Sequence, residues 1–312
     1  MAQQSWILSV VVIVVLVLAG VGSAAYVYLK EKPSPSNRVQ VVEGSNVTVN
    51  YIGLFGSGPE AGRIFDTSIY GIGSNPAYAK ALEYHERGPA KNYTPLPVYV
   101  GGSTPSGGYT LGNLSFIQVV PGFWQGIVGM QPNTTRTVVI PPSLGYGPTD
   151  PACVLTEPLV QTLPAMQTLP GITFQKSFPG ITAATGEEFS DPLYGWTDQI
   201  LSANASYVTL QRLPYVGQTT ELSGWPVTVT SVQGNTNGTG IITVQNELSP
   251  AQAGHLLGND YLGTGPCSSS NNHQFIVTDV NLAAGTFTEN FNPEVQGQTL
   301  IFTITVVGYW PH

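Results

Sequence analysis

Residues 116–130, FIQVVPGFWQGIVGM, and the nearby residues 136–147, RTVVIPPSLGYG, decide the fold. The first stretch opens as a strand at Phe116 and passes into a short helical run over Gly122 to Val128. Thr135 to Ile140 is strand material, stopped by Pro141-Pro142, whose rings fix φ and remove two backbone donors. Upstream, Val39 to Tyr51 (VQVVEGSNVTVNY) alternates apolar and polar residues around a Gly-Ser turn and also reads as strand. Pro76 to His85 (PAYAKALEYH) spaces Ala, Leu and Tyr for one face of a helix. Thr299 to Val307 (TLIFTITVV) alternates strictly, as a strand does. Strands of one sheet thus stand at both ends of the chain, and the region from about Pro151 to Asn272 must leave it and return.

That middle region is rich in Pro, Gly, Thr and Gln and carries short β-type runs. They include Ser206 to Leu213 (SYVTLQRL), Pro226 to Val232 (PVTVTSV) and Gly240 to Val244 (GIITV). It reads as a small β-rich domain without strong helix signals. Gly195-Trp196 and Gly224-Trp225 recur, but their flanks do not match, so no repeat is assigned. Glu187, Glu188 and Asp191 read as a solvated acidic loop. The only two cysteines, Cys153 and Cys267, bracket the region where it leaves and returns. A disulfide there would close a loop of about a hundred residues and contribute up to about 4–5 kcal/mol. The alternative is two unrelated buried thiols.

Only 9% of the 312 residues are charged, and the net charge is −8. With no basic run, a nucleic-acid partner is excluded, because phosphate binding needs clustered cations. Trp6 to Leu29 carries no charge and is long enough to cross a hydrocarbon core. Its length and the uncharged MAQQS before it favour an uncleaved anchor, although Gly22-Ser23-Ala24-Ala25 would suit a signal peptidase. Residues 1–30 are therefore read as a transmembrane anchor and 31–38 as a stiff Pro/Ser linker. Lys30, Lys32 and Arg38 after the span argue for a cytoplasmic body. The low charge, the cysteine pair and six Asn-X-Ser/Thr sequons (Asn46, Asn92, Asn113, Asn133, Asn204, Asn237) argue for an extracytoplasmic one, which is the expectation adopted.

Six blocks, taken in order, resemble the FKBP family of peptidyl-prolyl cis/trans isomerases. They are Val47 to Gly53 (VTVNYIG), Arg63 to Ser68 (RIFDTS), Pro95 to Gly102 (PLPVYVGG), the two stretches quoted first, and Asn290 to Val307 (NFNPEVQGQTLIFTITVV). Each alone is weak; six in family order are specific, and they cover about half of the chain. The long excursion after Gly147 and its return through Phe275 to Asn292 (FIVTDVNLAAGTFTENFN) resemble the SlyD-like and archaeal branch, in which a domain is inserted in the flap. Pro293, Glu294 and Gln298 depart from that branch's pattern at the return.

The resemblance implies an α+β fold: an FKBP-like antiparallel half-barrel around a short helix, with a β-rich insert. The expected division is 39–150 and 274–312 for the isomerase domain and 151–273 for the insert. The pocket it implies comprises Tyr51, Phe65, Asp66, Val119, Val120, Phe123, Tyr146 and Phe302, with Leu96 or Val98 as a further wall. Asp66, Tyr146, Phe65 and Phe123 would carry catalysis, with Phe123 standing where the best-known members place Trp. The expected partners are unfolded or proline-containing polypeptides, and the membrane through the N-terminal helix. Proline rotation needs no cofactor or metal, and the four His (85, 255, 273 and 312) lack ligand spacing. Nucleophile-elbow, phosphate-loop and zinc-protease motifs are absent from the sequence.

Overall fold

A computed structural model describes residues 39–103, 109–192, 194–221, 224–234, 240–259, 265–267 and 274–311. The expected anchor and linker, the Asn237 sequon, His273 and His312 lie outside the described residues. Among the described residues, no helix is long and apolar enough to cross a membrane.

The chain lays down β1 (Asn46–Phe55), β2 (Ile64–Thr67), a single turn α1 (Tyr70–Gly73), β3 (Leu96–Tyr99), a hairpin of β4 (Tyr109–Leu111) and β5 (Leu114–Phe116), α2 (Pro121–Ile127) and β6 (Thr135–Ile140). Three five-residue strands follow almost without a break: β7 (Val154–Pro158), β8 (Val160–Pro164) and β9 (Met166–Pro170). After α3 (Gly171–Ser177) come three strand groups. The first is β10 (Glu188–Ser190), β11 (Thr197–Ala203) and β12 (Tyr207–Arg212). The second is β13 (Thr219–Thr220), β14 (Val227–Gln233) and β15 (Ile241–Asn246). The third is β16 (Leu256–Asn259), β17 (Gln274–Asn281) and β18 (Thr286–Asn290), and β19 (Leu300–Trp310) closes the sheet.

The first sheet has the order β2-β1-β19-β6, with β3 on the other half of the β1 edge that β2 uses. Alternation along β1 and β19 sends Val47, Val49, Tyr51, Phe302, Ile304 and Val306 inward. α2 fills that side with Phe123 and Ile127. Register fixes direction: Phe55, Leu300 and Ile140 share one end of the sheet, and Asn46, Trp310 and Thr135 sit toward the other. The insert leaves and returns at the first end.

Pro76 to His85 does not form the expected helix. Ile64 donates to Ala79 at 3.0 Å and Ala81 donates to Ile64 at 2.9 Å, tying this stretch to β2. A helix this short is marginal alone, and the sheet edge competes successfully for its backbone groups. The strand expected from Val39 begins only at Asn46, after a turn at Glu43-Gly44.

The insert holds a repeat that the flanks of the Gly-Trp pairs conceal. Its sheets run β10-β11-β12-β9, β13-β14-β15-β8 and β16-β17-β18-β7, each a hairpin completed by a short leading strand and by one of the consecutive strands β9, β8 or β7. The docking strands read VLTEP, VQTLP and MQTLP. Phe291, Asn246 and Arg212 donate their N–H to Cys153, Leu159 and Ala165, each at 2.8 Å. Thr156, Thr162 and Thr168 stand opposite Thr288, Thr243 and Thr209. Each hairpin shifts register at the same place, between Ile200 and Ser202, Val229 and Ser231, and Val277 and Asp279. The docking strands carry this repeat in sequence as well as in pairing, outside the flanks of the Gly-Trp pairs.

In 274–290, β17 and β18 pair with β16 and β7, and Phe275, Val277 and Phe287 share a core with Trp225 and Val229. The Cys153–Cys267 disulfide is formed, with Cα atoms 5.3 Å apart. Cys267 lies between β16 and β17, so the bond ties the third sheet's loop to the start of β7 instead of closing the neck. The neck is closed by buried Asn292, which accepts from the Asp150 N–H at 2.9 Å and donates to the Asp150 carbonyl at 3.0 Å. Asp191, expected in solvent, is buried beside Asp198, whereas Glu187 and Glu188 are exposed.

Candidate active site

The concave face of the first sheet gathers four aromatic rings. Phe123 meets Phe302 edge-on with centroids 4.9 Å apart, Phe65 meets Phe302 at 5.4 Å, and Tyr51 lies 6.0 Å from Phe123 and 6.1 Å from Phe302. Edge-to-face pairs of this kind add to area burial. Gly53 permits the approach: a Cβ there would fall 2.6 Å from the Phe65 ring and 2.9 Å from that of Phe302. Tyr51, Phe123 and Phe302 are buried and form the floor. Phe65, Val119 and Val120 are half-buried against the same core, and Tyr146 is exposed on the loop beyond β6.

A charged group is fixed at the rim. Asp66 accepts from the Tyr51 hydroxyl through Oδ2, and through Oδ1 from the Thr67 N–H at 2.8 Å and from Arg87 Nη2 at 2.8 Å. The same Arg87 nitrogen donates to the Tyr51 oxygen at 2.7 Å. Burial, followed by the charge of Asp66 and its hydrogen bond, pushes the Tyr51 phenol far up, so it stays a donor. Burial alone would lower the Arg87 guanidinium; the hydrogen bond and charge of Asp66, with Tyr51, outweigh it and hold Arg87 above its ordinary value. Partial burial and then the Asp66 charge raise the Tyr146 phenol, although the side chain remains about half exposed.

The structure brings together part of the sequence-predicted set. Tyr51, Phe65, Asp66, Phe123 and Phe302 form one cluster through direct contacts. Val98 is completely buried, paired with Val47, so it backs the pocket and offers no surface. Leu96 is half-buried and retains some. Among the described residues the Val120 N–H has no intramolecular acceptor, while the Val120 carbonyl accepts from Phe123 at 3.0 Å. Arg87 was not foreseen. It lies in the irregular stretch after α1, where its N–H donates to the Tyr93 hydroxyl at 3.2 Å and its guanidinium sits 5.9 Å from the Tyr93 ring. The available signal was scarcity: Arg87 is one of only ten cationic residues.

The site has an apolar floor, one held carboxylate and exposed hydroxyl and amide donors, and no nucleophile–base pair. Among the described residues, no three His, Cys, Asp or Glu side chains are grouped to hold a metal ion. No curated protein matches the chain. A model of the FKBP-type peptidyl-prolyl cis-trans isomerase family matches residues 109–169, from β4 through α2, β6 and the Tyr146 loop to β9, and this match supports an FKBP-type isomerase domain.

Proposed function

We propose that this chain is a peptidyl-prolyl cis/trans isomerase acting on X-Pro bonds of unfolded or partly folded extracytoplasmic polypeptides. The observation that carries the reading is the aromatic basin with Asp66 held at its rim between Tyr51 and Arg87. Rotation about X-Pro faces a barrier of about 18–20 kcal/mol because the amide has partial double-bond character. A proline ring seated on Phe123 and Phe302 loses water around its amide, which disfavours the charge-separated planar form. The free Val120 N–H and the Tyr146 hydroxyl donate to the carbonyls flanking the bond. Asp66 stabilises the twisted carbonyl electrostatically and transfers no proton; its preorganisation by Arg87 spares reorganisation during rotation.

The long excursion between β6 and β19 fits the SlyD-like and archaeal branch, and the insert acts as a binding face for unfolded chains. Exposed Ile172, Tyr207, Tyr215 and Val216 on its surface support that role. The apolar segment 6–29 anchors the chain, and the body faces outward. Asn92, Asn113, Asn133 and Asn204 are exposed and could accept glycan there, whereas Asn46 is buried and could not.

The test uses the full chain in detergent, assayed on a short X-Pro peptide and on a protein whose refolding is limited by proline isomerisation. Activity on both, falling about tenfold or more in Asp66→Ala, is the expected result. Folded protein without activity on either substrate leaves only a chain-binding module.

A further inference from the structure

Phe55 stands between two places that share no other side chain. On one side its ring lies 5.2 Å from that of Phe65, which contacts Phe302 in the pocket floor. On the other it lines a cleft of about 60 Å³ between the isomerase sheet and the third insert sheet, together with Pro59, Glu60, Gly254, Ile276 and Thr278. Phe55 itself is 1% exposed, so its ring moves only if one of these walls moves.

The far wall is seated by specific contacts. Gly254 donates its N–H to Val277 of β17 and packs so closely on Pro59 that a Cβ would lie 2.3 Å from Pro59 Cγ. His255 Nδ1 meets Glu60 Oε1 at 2.8 Å, and Arg63 Nε meets Glu60 Oε2 at 3.1 Å. Residues 56–62 return to β1 through the Gly62 N–H on the Phe55 carbonyl at 2.8 Å, and the Phe55 N–H donates to Arg63 at 3.0 Å. A displacement of the β16–β18 sheet therefore acts on Pro59 and Glu60, whose connection begins and ends at Phe55.

We propose that Phe55 is a positioning residue for the proline pocket, carrying the seating of the third insert sheet on Pro59 and Glu60 to the ring of Phe65. The inference rests on the isomerase reading above. It makes the insert an influence on the rotation step itself, separate from any capture of substrate chains.

The experiment is steady-state isomerisation by the full chain in detergent of an X-Pro tetrapeptide, too short to reach the insert. Gly254→Ala wedges the cleft from the insert side without touching the pocket. Its control is Gly285→Ala at the tip of the β17–β18 hairpin, where φ is also positive (+67°) but a Cβ meets nothing within 4 Å. Gly254→Ala is expected to lower kcat about fivefold with KM nearly unchanged, and Gly285→Ala to match wild type. Phe55→Leu should lower kcat similarly, and the double variant should lose little more than either single one. Equal activity of Gly254→Ala and Gly285→Ala overturns the inference and leaves the isomerase reading standing. Additive losses, or a loss explained by the unfolded fraction from thermal melts, also overturn it. An inactive wild type overturns the isomerase reading, and this inference with it.

Discussion

The first and second insert sheets share one frame and fill it differently. In register, Trp196 corresponds to Trp225, Asp198 to Val227 and Arg212 to Asn246. The second sheet closes its polar groups with an amide: the Trp225 indole N–H donates to Asn246 Oδ1 at 2.8 Å, and Asn246 Nδ2 donates to the Leu159 carbonyl at 3.1 Å. The first sheet buries charge. Arg212 donates to the Pro164 carbonyl at 3.0 Å and stacks over Tyr194, which lies parallel to Trp196 at 4.3 Å. Both Asp198 oxygens, Trp196 Nε1 and Arg212 Nε lack well-formed hydrogen bonds. Pairing fixes the sheet, while what occupies the shared position decides whether its stability responds to pH.

The largest effect is expected at Arg212. Arg212→Ala removes the buried guanidinium that holds the Pro164 carbonyl and opposes the upward shift of Asp198, and should cost about 3 kcal/mol in denaturant unfolding at pH 7. A loss below about 1 kcal/mol would mean that the carboxyls share a proton and need no cation. Asn246→Ala in the second sheet strands the Trp225 N–H and should cost about 1–3 kcal/mol by the same measurement.

Titration sharpens the contrast. Burial, then the charge of Asp191, pushes the Asp198 carboxyl up to about 7, with Arg212 opposing. A raised carboxyl contributes stability that is complete below its ordinary range, near 4, and is lost as pH rises through about 7. Asp198→Asn should therefore shrink the difference in Tm between pH 5 and pH 8, and an unchanged difference would exclude this group as its source. The smallest expected effect is at the shared threonines: Thr168→Ala removes the 3.0 Å hydroxyl pair with Thr209 and should cost about 0.2–1 kcal/mol.

What was legible in the sequence was the part governed by local pattern. β6 matches Thr135 to Ile140 because two prolines end it, and the alternation of β19 shows because one face is buried. Block order brought forward the residues that the fold clusters, Tyr51, Phe65, Asp66, Phe123 and Phe302. Arg87 was hidden because an irregular stretch, held by tyrosines and by the edge of β2, delivers it to Asp66. The buried Asp191 was hidden because a sequence shows an acidic loop and not the turn that folds it inward, where Asp191 Oδ1 accepts from the Tyr194 N–H at 3.1 Å. The three-sheet repeat does not show in the flanks of the Gly-Trp pairs; it shows in the docking strands VLTEP, VQTLP and MQTLP and in the pairing, which sets Val227 and Asp198 at one position.

The run from Asp150 to Gly171 has a kinetic consequence. Its contacts nest like brackets: Pro164 reaches Arg212 across 48 residues, Leu159 reaches Asn246 across 87, and Asp150 reaches Asn292 across 142. Closing the widest bracket first would confine the longest loop at once. Closing the innermost first shortens the free chain left for the next, so each step closes a smaller effective loop. Loop-closure entropy accordingly favours assembly from the β9–β12 sheet outward, with β19 joining the first sheet last.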